Sequence, residues 1–182
     1  MGDGVAALML LIAFIASAIL FARRWSPKID DIERGLPGEL RGAEVAYAER
    51  TFRSHRHRLV ARLDRAYRTP AGIQLVELKT RPRDAVYMSD VIELSVQRIC
   101  LEDETGEAVA SEAWVVVQNS WTGTRRPRTV RLMETLEIMA MRARYADVVQ
   151  GRVGRPAPAR SHSKCKQCAH QARCAVRYRD RP

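Results

Sequence analysis

Short apolar runs separated by polar turns fill the middle of the chain and predict β-strands. In residues 59–67, Leu59, Ala61 and Leu63 fall on one face of an extended segment, and Asp64 falls on the other face. A turn signal at residues 69–72 then returns the chain antiparallel into the next strand. The predicted strands cover residues 44–52, 59–67, 74–80, 113–117 and 129–132.

Two longer segments, residues 89–101 and 133–149, have the 3.6-residue spacing of amphipathic helices. Ser89 or Asp90 is expected to cap the first helix, because both side chains accept hydrogen bonds from backbone N–H groups. Residues 119–127 are predicted to form a polar, basic loop. The apolar positions of the two helices are Val91, Ile92, Leu94, Val96, Ile99 and Leu101, and then Leu136, Ile138, Met139, Met141, Tyr145 and Val148.

The strand at residues 74–80 places an acid and a base on one face. Glu77 and Lys79 are two residues apart and project together, whereas Val76 and Leu78 point the other way. In the predicted hairpin, Asp64 comes close to Glu77 across the ladder. The pattern therefore brings two carboxylates and an ammonium group to one place in the sheet, although a solvated strand face can carry the same residues.

An uncharged segment near the N-terminus predicts a membrane anchor. Residues 5–22 are mainly Leu, Ile, Ala, Met and Phe, and their number is about that needed to cross the hydrocarbon core as a helix. Arg23, Arg24 and Lys28 follow, whereas Asp3 precedes, so the positive-inside rule places the N-terminus outside and the rest in the cytoplasm. The alternative is a cleaved signal peptide, but the basic region that such a peptide requires is missing.

The composition indicates a folded protein, and its charge indicates an anionic partner. Hydrophobic residues at 46% and charged residues at 29% describe a folded chain and exclude a disordered one. A net charge of +10 favours a polyanionic partner, either nucleic acid or an anionic membrane surface. The 182 residues divide into an anchor (1–25), a connector (26–43), an α/β domain (44–150), and a linker with a cysteine-containing tail (151–182).

The order of these motifs resembles the PD-(D/E)XK nuclease superfamily, and within it the RecB-like branch with the CRISPR-associated RecB-like exonucleases. The resemblance covers roughly residues 36–174. It implies an α/β fold with a restriction-endonuclease-like mixed sheet flanked by helices. The transmembrane helix predicted near the N-terminus would precede this domain. The residues that carry it are Asp64 in ARLDRAY, Glu77 and Lys79 in VELKT, Gln97 on the next helix, and Cys165, Cys168 and Cys174 near the C-terminus.

The resemblance implies divalent-metal-dependent cleavage of DNA. Asp64, Glu77 and the backbone carbonyl of Leu78 would bind Mg²⁺ or Mn²⁺, since hard cations prefer oxygen ligands. Lys79 would orient or deprotonate the attacking water, because a neighbouring metal ion favours loss of its proton. Gln97 would position the substrate or the lysine. Many relatives carry an N-terminal histidine, and often a cysteine, which residues 1–43 lack.

The cysteine tail is a second candidate site. The three C-terminal cysteines have metal-ligand spacing and favour a reducing compartment. The resemblance implies a 4Fe–4S cluster with a fourth ligand from the N-terminal region. The alternatives are a zinc site completed by His162 or His170, and a tail without metal. Cys100 lies on an amphipathic helix and is interpreted as a small buried residue.

The remaining aromatic and basic residues suggest packing and backbone contacts. Trp114 and Trp121 are interpreted as core or edge packing residues in preference to base-stacking platforms. The basic residues 125–128 are interpreted as a contact for phosphates or anionic lipid. The leading hypothesis is a membrane-anchored nuclease acting on DNA. The alternatives are a catalytically silent module of the same fold that binds nucleic acid or a partner protein, and a zinc-stabilised structural protein.

Overall fold

The computed structural model describes residues 35–153, 162–166, 168–169 and 171–174. The predicted anchor, residues 1–25, and the connector up to residue 34 lie outside these ranges. Among the helices of the described residues, none is both long enough and apolar enough to span a membrane. The chain divides into two compact units, Met1–Thr135 and Leu136–Pro182.

Every strand and helix predicted between residues 44 and 149 is present, with longer bounds in most cases. A short 3₁₀ turn, Gly38–Leu40, precedes the sheet, and another, Gln171–Arg173, lies in the tail. The elements are β1 (Glu44–Ser54), β2 (Leu59–Thr69), β3 (Gly72–Arg81), α1 (Met88–Thr105), β4 (Glu112–Asn119), β5 (Arg125–Arg131), α2 (Thr135–Val149) and α3 (His162–Lys166).

The first unit is built on a mixed sheet with strand order β1-β2-β3-β4-β5. The first three strands are antiparallel neighbours, and β4 is antiparallel to β5. The pair β3 and β4 is parallel, because the crossover through α1 carries the chain back to the edge where β3 began. This arrangement confirms the prediction of a mixed sheet, and it places the end of β3 beside the end of β4.

The core lies mainly between the sheet and α1. Alternation along the strands selects the residues that face α1, as expected for a sheet with one well-covered face. The opposite face carries a smaller cluster around Leu36, Leu40, Tyr67, Val76 and Val116, against which Trp114 packs. The α1 face buries, among others, Phe52, Leu63, Leu75, Val115 and Val117 together with Leu94 and Leu101 of the helix.

A glycine is required at the turn between β2 and β3. Gly72 has φ +109°, and a Cβ atom there would lie 2.7 Å from the carbonyl oxygen of Ala108. The close approach lets Ile73 donate a backbone hydrogen bond to that oxygen at 2.9 Å. The turn is thereby fixed to the segment that enters β4, so the hairpin carrying the candidate acids is held at its closed end.

Two sequence predictions about local structure are wrong. The N-cap of α1 is Tyr87; Asp90 lies at N3 and accepts a hydrogen bond from the Tyr87 N–H at 2.8 Å. The predicted loop 119–127 is too long, because β5 begins at Arg125 and pairs Pro127 with Val116. The proline is accommodated because β5 is an edge strand of the sheet that the described residues form.

In the second unit, α2 has fewer buried positions than its apolar spacing suggests. It begins at Thr135 instead of residue 133, and its buried residue is Ile138. Leu136 is 83% exposed and Tyr145 is 71% exposed, and Met141 and Val148 are also exposed. The periodicity therefore predicts the helix correctly but not the burial of its apolar positions.

Candidate active site

The two candidate carboxylates lie where the ladder between β2 and β3 stops. The registered pairs run from Thr69 with Gly72 to Arg65 with Val76. One residue further, the Asp64 carboxylate accepts a hydrogen bond from the backbone N–H of Leu78 at 3.0 Å. The side chain of Asp64 thus takes the donor that a continued ladder would have engaged, and it lies next to Glu77.

Glu77 is a buried acid, only 4% exposed, on the face of β3 that meets α1. Its two carboxylate oxygens are held separately: Gln97 Nε2 donates to Oε2 at 2.9 Å, and Lys79 Nζ donates to Oε1 at 2.8 Å. Burial raises the pKa of Glu77 above its ordinary value, although the hydrogen bonds from Gln97 and Lys79 oppose this. The nearby charge of Asp64 raises the pKa further.

Lys79 is held between two carboxylates. Besides Glu77, its ammonium donates to Glu93 Oε2 of α1 at 2.7 Å. Burial by itself would lower the pKa of Lys79, but the hydrogen bonds to Glu77 and Glu93 more than offset burial, so the pKa is raised. Without a metal ion, Lys79 is therefore a firmly protonated ammonium group. The prediction that a bound cation favours loss of its proton stays a prediction.

Gln97 joins two strands from the helix. Its amide nitrogen donates to Glu77 and also to the backbone carbonyl of Arg62 on β2, at 3.2 Å. Glu93 and Gln97 are four residues apart on α1, so both side chains face the sheet on the same side of the helix. Glu93 is the residue that sequence reasoning missed as a member of the site. Its spacing from Gln97 was the available signal.

The donor set matches a hard divalent cation. Asp64 and Glu77 offer carboxylate oxygens, and Mg²⁺ is commonly held by one or two carboxylates with water and substrate phosphate completing its shell. Within the described residues, no group of three or more His, Cys, Asp or Glu side chains is arranged to hold a metal ion. A third protein ligand would therefore be a backbone oxygen, for which Leu78 stays the predicted residue.

The cysteines are not assembled into a site in the described part of the chain. Cys165 and Cys168 are free thiols, and no three-ligand group among the described residues includes a cysteine of the tail. The iron–sulfur and zinc predictions therefore receive no support from the structure. The side chains of His162 and His170 fall outside the described residues. Cys100 is completely buried in the core of the first unit, which confirms its interpretation as a packing residue.

Two arginines of β5 bind an aspartate beside the site. Arg128 and Arg126 both bind the carboxylate of Asp84, with nitrogen–oxygen distances of 2.5 Å and 3.5 Å. The hydrogen bond from Arg128 is the main reason that the pKa of Asp84 is lowered. The side chains of Arg128 and Arg126 are nevertheless 49% and 66% exposed. Both side chains can therefore also bind a second anion from solvent.

The fold and site together define an α/β protein with paired carboxylates and a lysine on adjoining strands. The family model of the PD-(D/E)XK nuclease superfamily matches residues 16–175. That match covers most of the chain, so the chain belongs to the PD-(D/E)XK nuclease superfamily. No match was found among curated proteins.

Two solved structures are similar to the chain at low identity. The protein SSO0001 is 14% identical with a TM-score of 0.44, over 66% of this chain and 52% of that one. A predicted exonuclease from Eubacterium rectale is 15% identical with a TM-score of 0.49, over 88% of this chain and 62% of that one. In both comparisons this chain spans less than two thirds of the other protein. Neither likeness carries an argument about function.

Proposed function

We propose that the chain is a divalent-metal-dependent nuclease that hydrolyses DNA phosphodiester bonds, with Mg²⁺ or Mn²⁺ held by Asp64, Glu77 and the carbonyl of Leu78. The observation that carries the proposal is the contact between Glu77 and Lys79 at 2.8 Å, beside Asp64. A buried, lysine-paired glutamate next to a second carboxylate is costly for a fold to keep. A bound cation would offset this cost, because it neutralises the negative charge of the two carboxylates.

Each residue of the candidate site has a separate role in the proposed reaction. A bound divalent cation would neutralise charge on the phosphoryl oxygens and activate a water molecule. Glu77 and Asp64 supply the negative charge that holds it, and Gln97 fixes the orientation of the Glu77 carboxylate. A cation held by Glu77 would offset the negative charge of this carboxylate and so oppose the effect that raises the pKa of Lys79. Lys79 is then placed to orient the attacking water or to take its proton.

The more specific assignment to the RecB-like branch belongs to the same proposal. It is supported by Gln97, whose amide contacts the Glu77 carboxylate from the helix that follows the Glu77–Lys79 strand. The cysteine tail of that branch would carry a 4Fe–4S cluster, with a zinc ion as the alternative. Iron and zinc content of the anaerobically purified chain, measured with its visible absorption, tests this part. A chain free of both metals contradicts it.

Membrane attachment through residues 1–25 is a further part of the proposal. Its support is the uncharged run at residues 5–22 and the basic residues that follow it. Carbonate extraction of membranes from expressing cells, followed by protease treatment of intact spheroplasts, tests both attachment and orientation. Recovery in the extracted supernatant contradicts the anchor.

The central test is cleavage by the full chain, purified in a mild detergent, with DNA and RNA substrates and with Mg²⁺, Mn²⁺ or EDTA. We expect cleavage of DNA with metal and none with EDTA. Lys79→Ala should lower kcat by about two to four orders of magnitude, as is typical for loss of a general acid–base or positioning group. Arg50→Ala, an exposed residue paired with Glu104, is the matched control and should leave the rate unchanged.

The outcome also separates the nuclease from the silent module. A silent module would bind DNA equally well with metal or EDTA and would show no turnover. Cleavage that persists undiminished in Lys79→Ala would assign the activity to another site or to a contaminating nuclease.

A further inference from the structure

The candidate site lies near one end of the strands, and two hairpin turns project from the same end of the sheet. Because β3 and β4 are parallel and their neighbours run the opposite way, the end of β3 lies level with two turns. These are the β1–β2 turn at residues 55–58 and the β4–β5 turn at residues 120–124. Lys79 lies two residues, or about 7 Å, from the end of β3 at this end of the sheet.

The β4–β5 turn presents an exposed tryptophan. Trp121 is 83% exposed, so its interpretation from the sequence as a packing residue is wrong. The turn itself is fixed, because Asn119 Oδ1 accepts hydrogen bonds from the N–H groups of Trp121 and Thr122, each at 2.9 Å. Asn119 also donates to the carbonyl of Pro82 at 3.0 Å, and the N–H of Ser120 donates to the carbonyl of Arg81 at 3.1 Å. The indole is therefore exposed on a turn that is tied to the end of the site strand.

Two arginines of β5, the strand that follows this turn, lie on the same face of the sheet as Glu77 and Lys79. In the sheet register, Lys79 pairs with Val117, which pairs with Arg126. Side chains in one row of a sheet share a face, so Arg126 lies on the face of Lys79 at two strand spacings, about 10 Å. The next row places Glu77, Val115 and Arg128 together in the same way. Both arginines keep a large exposed fraction despite their contact with Asp84.

We propose that Trp121 is a stacking platform for an unpaired base of the nucleic acid, whose backbone phosphates lie along Arg126 and Arg128. This inference rests on the proposed function and specifies the form of its substrate. A base inside a duplex has both faces covered by its neighbours, whereas an unpaired base offers a free face to an exposed aromatic ring. Arginines beside an aromatic platform are the arrangement that recognises single strands through stacking and phosphate contacts.

The test measures binding in EDTA, so that it does not depend on cleavage. Full-length chain is titrated into end-labelled oligodeoxythymidine and into a blunt hairpin duplex, with fluorescence anisotropy as the signal. We expect Trp121→Ala to weaken binding of the single strand about tenfold, within the range of one lost base–aromatic stack. Trp121→Phe should retain most of the affinity, because phenylalanine preserves a stacking face. The duplex should bind both variants like the unmodified chain.

Tyr145→Ala is the matched control, since Tyr145 is an aromatic residue of the second unit with a similarly high exposure, 71%. It should bind the single strand like the unmodified chain. The folded state of each variant is checked by circular dichroism, and the 83% exposure of Trp121 makes loss of folding an unexpected result.

The results separate this inference from the proposed function. Equal affinity of Trp121→Ala and the unmodified chain for the single strand overturns the stacking role, even if the chain cleaves DNA. Equal losses for the single strand and the blunt duplex also overturn it and leave the tryptophan as a general contact for a nucleic acid or protein partner. A selective loss for the single strand supports it, whether or not Lys79 proves to be catalytic.

Discussion

At the scale of single residues, the position of Lys79 between two acids decides how the site responds to pH. Glu77 and Glu93 lie on different elements, yet both bind the same ammonium at 2.8 Å and 2.7 Å. Each hydrogen bond raises the pKa of Lys79 against the opposing effect of burial. If cleavage requires the neutral amine, the rate should rise with pH until the lysine titrates.

Glu93→Gln should move that rising limb to lower pH. The substitution removes one negative charge that raises the pKa of Lys79, so the neutral amine forms more readily. Because Glu93 is 44% exposed, the pair is screened by solvent and worth about 0.2–1 kcal/mol. That range corresponds to a shift of a few tenths of a pH unit. The measurement is the pH dependence of kcat/KM.

Glu104→Gln provides the control for this shift. Glu104 lies on the same helix and also forms an exposed ion pair, with Arg50, but it has no contact with Lys79 among those described. Its pH profile should coincide with that of the unmodified chain. A limb that stays in place in Glu93→Gln, or moves to higher pH, would show that the proton titrating in the profile is not that of Lys79.

At the scale of elements, the site is an interruption of the ladder between β2 and β3. Asp64 has two separable tasks there: its oxygen satisfies the Leu78 N–H, and its charge is available for a cation. Asp64→Asn keeps an oxygen acceptor but removes the charge. Asp64→Ala removes both and leaves a backbone donor without its partner.

We expect both variants to lose metal-dependent cleavage, but only Asp64→Ala to lose stability. A net contribution of about 1 kcal/mol per hydrogen bond predicts that Asp64→Ala unfolds more easily than Asp64→Asn by that amount. Denaturant unfolding of the two variants measures the difference. Equal stabilities would show that water replaces the Asp64 oxygen at the Leu78 N–H without loss, and full activity in Asp64→Asn would remove Asp64 from the proposed metal ligands.

The sequence is sufficient to predict the hairpin and its acids because they depend on local rules. Alternation, the turn before Ile73 and the spacing of Glu77 from Lys79 all act within a few residues. The spacing of Glu93 from Gln97 places the two side chains on one side of α1, but the contact of Glu93 with Lys79 does not follow from such a rule, because it depends on how α1 lies on the sheet. The start of β5 was missed because a basic segment containing Pro127 has weak strand propensity, and pairing with β4 overrides it.

Exposure was the property least predictable from the sequence. Trp114 and Trp121 are both on or next to β4, yet one packs against the cluster around Val116 and the other is 83% exposed. The difference arises at the hairpin turn, where Asn119 redirects the chain beyond the sheet. Residue type alone gives no sign of that change in direction.

At the scale of the whole molecule, the net charge of +10 predicts that binding of the proposed nucleic-acid substrate weakens as salt rises. Asp84 is one of the acids that limit this attraction, because it binds two exposed arginines on the proposed substrate face. Its pKa is lowered, first of all by the hydrogen bond from Arg128, so it remains ionised throughout the neutral range. A phosphate that approaches these arginines must compete with this carboxylate.

Asp84→Asn should therefore tighten binding of oligodeoxythymidine at low salt and steepen its salt dependence. Release of about one further counterion corresponds to a change of about 0.7 in the slope of log K against log salt for a single strand. The advantage should shrink as salt rises, because screening weakens the added attraction. Asp147→Asn, which removes an equal charge from an exposed pair with Arg152 in the second unit, tests whether net charge alone is responsible. Equal effects of the two variants would contradict a local role for Arg126 and Arg128, whereas an effect confined to Asp84→Asn supports a strand path along β5.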